Sequence, residues 1–176
     1  MNNALRAMTV VLVLTLSACL TNEVQVAEIK TFPTDNMDAI ITRSDVSIDK
    51  EISSNGKSSV KMIANSPTTF KLFETGPIDI DNARLIYKAK VRTDNVQGQT
   101  FLEMWCSFPG KGEFFSRGLQ NPMSGTNGWT SVETPFFLKK GEKPDNVKLN
   151  VVVFSGLPAK PPKLLSPPPN GSRAEW

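Results

Sequence analysis

From Met37 to Phe154 the apolar residues come in short runs that alternate with polar ones. Asn, Gly, Pro and Asp break the runs, and no stretch sustains a 3.6-residue repeat. A period of two marks a strand with one buried face, so the chain reads as all-β. The runs are Ala39–Arg43, Val46–Ile48, Ser59–Ile63, Thr69–Phe73, Leu85–Arg92, Thr100–Phe108, Gly112–Phe115, Ser131–Leu138 and Lys148–Phe154. Many short strands separated by turn residues predict a β-sandwich. Asn55-Gly56 accepts positive φ at low cost, and Pro109-Gly110-Lys111-Gly112 lies between two aromatic-rich runs, so each predicts a tight turn.

Alternation also assigns faces. Leu85, Tyr87, Ala89 and Val91 point one way, against Ile86, Lys88, Lys90 and Arg92. Leu102, Met104, Cys106 and Phe108 share a face, with Phe101, Glu103, Trp105 and Ser107 opposite. In the last run Val147, Leu149, Val151 and Val153 oppose Lys148, Asn150, Val152 and Phe154. If these three strands are neighbours, one face is core and the other is a charged surface with an embedded tryptophan.

The two ends of the chain differ from the middle. Arg6, the apolar run Met8–Leu16 and the small residues Ser17 and Ala18 have the anatomy of a signal peptide, and the run is too short to span a bilayer as a helix. Leu16-Ser17-Ala18-Cys19 resembles the lipobox of bacterial lipoproteins. That resemblance implies cleavage before Cys19 and acylation of the cysteine, and more than one acyl chain holds a protein durably on a membrane. Leucine rather than aspartate at position 20 favours the outer membrane of a two-membrane cell envelope. Residues 19–36 then form a lipidated tether and residues 37–156 the domain. Pro158, Pro161, Pro162 and Pro167–Pro169 make residues 157–176 a Pro-rich tail, extended or disordered, because proline cannot donate to a ladder.

Composition removes several function classes. Lys and Arg number 20 against 17 Asp and Glu, interspersed rather than striped, which does not suit nucleic acid. There is no histidine, which removes the commonest general base and metal ligand. The two cysteines are Cys19 and Cys106, so a lipidated Cys19 leaves Cys106 without a partner inside the chain.

The stretch from Phe101 through Trp105-Cys106-Ser107-Phe108 to Gly118, then Ser124–Trp129 and Glu133–Leu138, resembles bacterial β-jelly-roll domains. These domains are similar to carbohydrate-binding modules and galactose-binding-like domains. The resemblance covers most of residues 45–154 and implies a jelly roll that binds ligand without catalysis. Such domains close with Gly-Thr-hydrophobic-Trp-hydrophobic-Asp-Asp, where this chain has Phe154-Ser155-Gly156-Leu157-Pro158-Ala159. A missing final strand is therefore expected, through a changed reading frame or gene end. The structural calcium such modules often carry would lose its late aspartate with that strand, so no cofactor is expected.

Sugar recognition in such modules stacks a ring on an aromatic side chain and grips hydroxyls with polar groups around it. Trp105 and Glu103, flanked by Lys88, Lys90, Arg92 and Asn150, supply those groups on one expected face. Phe114, Phe115 and Arg117, near the turn at 109–112, are expected to form a loop-edge site with Trp129. Glu103 and Glu113 have the residue types of a glycosidase pair, but nothing in the sequence poises either, and no catalysis is expected. The sequence therefore points to a lipid-anchored, non-enzymatic envelope protein with a possible glycan ligand. The rivals are a structural or protein-interaction lipoprotein and a truncated product without independent function.

Overall fold

The computed structural model describes residues 26–154, of which none is helical. The signal segment, Cys19, residues 155 and 156, the Pro-rich tail and the expected loss of a closing strand all lie outside the described residues.

Among the described residues seven strands form in chain order: β1 (Val46–Asp49), β2 (Ser59–Met62), β3 (Thr68–Glu74), β4 (Arg84–Phe108), β5 (Gly112–Arg117), β6 (Met123–Phe137) and β7 (Asn146–Phe154). β1 and β2 pair as one antiparallel sheet, while the other five form a second with the order β3-β7-β4-β5 and β6 attached to β4. The expected turns lie where the residues place them. Gly56 has a φ of 76° and follows Asn55, whose side-chain oxygen accepts the Lys57 N–H at 3.0 Å. Gly110 at 70° and Gly112 at 89° shape the β4–β5 hairpin, which the Lys111 N–H closes by donating to the Phe108 carbonyl at 3.1 Å.

Two expectations are corrected. The segment Ala39–Arg43 forms no strand of its own, although Ile41 and Thr42 donate to the carbonyls of Leu72 and Lys71 at 3.1 and 2.9 Å along the outer edge of β3. The runs Leu85–Arg92 and Thr100–Phe108 belong to one long strand, β4, that turns back over itself. Its first part pairs with β6 from Arg84↔Phe137 to Val91↔Thr130, and its last part lies between β7 and β5. The register slips between Val91 and Thr100, where Asn95 (φ 51°) and Gly98 (φ 96°) take the left-handed backbone that a sharp bend needs. Thr93 secures the bend, its Oγ1 accepting from the backbone N–H and the side-chain amide of Asn127 at 3.1 and 2.9 Å.

The reversal makes a two-layer sandwich. One layer is the sheet β3-β7-β4-β5, built on the last part of β4. Over it lie the β4–β6 ribbon and the β1–β2 hairpin. Phe108, at the end of β4, lies 6.2 Å from Phe136, whose register partner is Leu85 at the strand's start. Ser116 of β5 reaches Thr134 of β6 with a 2.9 Å hydroxyl contact. The core between the layers holds Phe70, Tyr87, Leu102, Met104, Cys106, Phe108, Val147, Leu149 and Val151, with Val46 added from β1. Cys106 is fully buried, and burial pushes its thiol up to about 12, so it serves as a packing residue.

Residues 30–36, read from the sequence as part of a tether, already pack on the sandwich. Phe32 stacks on Phe73 with ring centroids 4.5 Å apart, Lys30 donates to the Thr75 carbonyl at 3.0 Å, and Ser58 donates to the Thr34 carbonyl at 3.0 Å.

Candidate functional site

The outer face of the β3-β7-β4-β5 sheet is built by register. Lys71, Asn150, Glu103 and Arg117 form one row across the four strands. Glu74, Lys148, Trp105 and Phe115 form the next, and Asn146, Ser107 and Glu113 the one after. Directly opposed side chains on one face touch. The hairpin turn at 109–112 therefore brings Trp105 against Phe115 and Glu103 against Arg117.

Glu103 organises the face. Its Oε1 accepts the Trp105 indole N–H at 2.7 Å and the Asn150 amide at 3.1 Å, and its Oε2 accepts the Arg117 Nε–H at 2.6 Å. The side chain is only 4% exposed, against 41% for Arg117. Burial alone would raise its carboxyl; the three donors, helped by the Arg117 charge, hold it below the usual glutamate value. Asn150 Oδ1, buried beside this cluster, has no partner among the described residues.

Around this anchor lies an aromatic platform. The Trp105 and Phe115 rings are 4.9 Å apart and tilted by 42°, and the Arg117 guanidinium covers Phe115 at 4.5 Å from the ring centroid. Phe115 remains half exposed. At the next row Glu113 accepts from Ser107 Oγ at 2.7 Å and from Lys148 Nζ at 2.5 Å. Those two donors hold its carboxyl below the ordinary value. The surface is open; Arg117 pairs with Glu103 and Lys148 with Glu113, while Lys71 and Glu74 enter no ion pair among the described residues.

The structure divides the expected site residues between two surfaces. Trp105, Glu103, Asn150, Phe115 and Arg117 come together as described. Phe115 and Arg117 thus join Trp105 rather than forming a separate site with Trp129. Lys88, Lys90 and Arg92 do not flank Trp105. They lie on the first part of β4, in the opposite layer, and their register partners are on β6. Because Leu85, Tyr87, Ala89 and Val91 face the core there, the three cations point away from it on the far side of the molecule. Trp129 belongs to that ribbon too, near its bend. Phe114 faces the core side of β5, edge-on to Phe108 at 5.9 Å.

Lys148 and Ser107 were not singled out from the sequence, although a hairpin register counted from the 109–112 turn would have found the Ser107–Glu113 pair. Among the described residues no group of three or more His, Cys, Asp or Glu side chains is placed to hold a metal ion. No protein-family model, curated protein or solved structure matches this chain.

Proposed function

We propose that this chain is a lipid-anchored protein of the bacterial cell envelope whose sandwich binds carbohydrate, without catalysis, on the open face of the β3-β7-β4-β5 sheet. The observation that carries this reading is the Trp105–Phe115 pair, rings 4.9 Å apart on an exposed sheet face and bordered by hydrogen-bonding side chains. The ring surface that Arg117 leaves uncovered offers a place for the C–H side of a pyranose, while Lys148, Glu113 and Ser107 lie within reach of the hydroxyls. An open platform suits successive rings of a polysaccharide rather than one enclosed sugar. It also agrees with the likeness to jelly-roll sugar-binding modules read from the sequence.

Chemistry at the two glutamates argues against hydrolysis. A glycosidase needs one carboxylic acid with a raised pKa, whereas donors lower both Glu103 and Glu113. The anchor follows from the lipobox-like residues before Cys19. Mass spectrometry of the protein extracted from membranes is expected to find acyl chains on Cys19; an unmodified sulfur would contradict the anchor and leave the sugar reading standing.

A polysaccharide array tests the binding face. The wild-type chain is expected to bind at least one polymer. Trp105→Ala and Phe115→Ala are each expected to weaken that binding by about tenfold or more, near 1.4 kcal/mol. Phe115 is half exposed, so its removal leaves the fold intact even if Trp105→Ala disturbs the Glu103 network. Absence of any bound polymer, or affinities indifferent to both changes, defeats the sugar reading.

A further inference from the structure

The outer face of the β4–β6 ribbon collects a second set of side chains. Register pairs Arg84 with Phe137, Ile86 with Pro135, Lys88 with Glu133 and Lys90 with Ser131, and on β4 the same alternation extends the face to Arg92; opposite it β6 slips by one residue, which puts Trp129 at the ribbon's bend rather than in that register. On the ribbon itself four cations thus stand against one carboxylate, and Asp49 of the neighbouring β1 adds a second negative charge near Arg92. The ribbon's carboxylate, Glu133, is 3.7 Å from Arg84, with both side chains about half exposed. None of the ion pairs among the described residues takes Lys88, Lys90 or Arg92. The opposite sheet face is balanced by comparison: Arg117 pairs with Glu103, and Lys148 with Glu113.

Apolar side chains stand among these cations. Phe137 is 70% exposed and Ile86 43%, and Trp129, at the ribbon's bend, is 36% exposed. The Arg84 guanidinium lies 5.9 Å from the Phe137 ring centroid. Exposing rings and an isoleucine within a cationic patch is unfavourable in water and favourable at a lipid headgroup layer. There the cations meet phosphates and the apolar groups enter the interface. An acidic polymer in solution would neutralise the cations but leave Ile86 and Phe137 wet.

We propose that this face docks the domain onto an anionic lipid surface. The proposal extends the anchored reading of Cys19, since acyl chains and a basic patch are two weak signals that together hold a protein firmly. Docking on the ribbon turns the Trp105–Phe115 platform, on the other side of the core, away from the bilayer and toward polymer in the envelope space.

The test takes lipidation and sugar out of the measurement. Residues 19–176 carrying Cys19→Ser, which include every described residue, are sedimented with vesicles of phosphatidylglycerol and phosphatidylcholine, and with vesicles of phosphatidylcholine alone. Binding is expected to the anionic vesicles and to fall with added salt. Lys88→Glu combined with Lys90→Glu is expected to lower the partition at least about tenfold, because each basic residue near such a surface contributes to attraction and reversal makes it repulsive. Phe137→Ser is expected to weaken it several-fold, and Trp105→Ala to leave it unchanged; melting curves confirm that each variant is folded. No binding, equal binding to both vesicle types, or binding unaltered by the charge reversal overturns the proposal. Capture by a soluble acidic polysaccharide without vesicle binding overturns it as well, and assigns the face to an anionic glycan. An unmodified Cys19 in membrane extracts would remove the anchor without changing any of these outcomes.

Discussion

Phe70→Ala is expected to destabilise the domain by about 3–5 kcal/mol, the range for truncating a buried phenylalanine. Phe70 is 1% exposed at the centre of β3. Its core-face row runs through Val151 of β7 to Leu102 of β4, so one ring contacts the centre of the larger sheet. Alanine would leave a void that this row cannot close, because sheet hydrogen bonds fix the strand spacing. Against the roughly 5–15 kcal/mol that holds a domain together, this is a large fraction. The melting temperature is expected to fall by roughly 10–20 °C. Urea unfolding of the two proteins measures the difference, and a loss below about 1 kcal/mol would mean that Phe70 is not in the core.

Replacement of Glu103 is expected to give the second-largest effect. Glu103→Ala strips the acceptor from three donors at once, and hydrogen bonds to a charged group contribute about 1.5–3 kcal/mol each before solvent replaces them. The Arg117 side chain is 41% exposed and regains water, so its share is small. The Trp105 and Asn150 donors are more enclosed, and a net loss of about 2–4 kcal/mol is expected. The effect should depend on pH in a defined direction. The folded carboxyl lies below its ordinary value of 4.5, so acid protonates Glu103 in the unfolded chain first. Its contribution is complete above that value and drains away as the pH falls through the lowered folded one. Asp49, Asp79 and Glu113 are lowered too, and stability declines in acid from several groups together. The difference between wild type and Glu103→Gln isolates this residue: widest at neutral pH, and narrowing below about 4.5. A difference that is flat from pH 7 to 3 would contradict the assigned network.

The contrast between what could and could not be read from the sequence has a physical basis. Alternation is a property of each strand by itself. Leu102, Met104 and Cys106 opposite Glu103 and Trp105, and Tyr87 opposite Lys88, could therefore be assigned without knowing any neighbour. The sandwich class followed, because strands of this length with one apolar face must close over each other. Which strands adjoin is a non-local matter. The stretch 93–99, with Asp94-Asn95 and Gly98, separates two runs that a shared sheet would set side by side. It is instead a corner around which β4 and β6 turn together, so Lys88, Lys90 and Arg92 end on the far side from Trp105. Trp129 follows them because it rides on β6. Phe115 and Arg117 were legible as residues of interest, but their partner was misassigned: the hairpin turn at 109–112 places 115 opposite 105 and 117 opposite 103.

The Glu103 network holds Trp105 and Phe115 together on one outer face, and the cations of the β4–β6 ribbon lie on the other. The most direct measurement is a titration of the ¹⁵N-labelled chain with the oligosaccharide form of the polymer that binds best on the array, followed by NMR. The account predicts that the Trp105 indole N–H and the amides of Phe115, Arg117 and Lys148 shift together with saturating curves, while the signals of Lys88, Lys90 and Trp129 stay in place. Shifts centred on the β4–β6 ribbon, or none at the Trp105 indole, would contradict it.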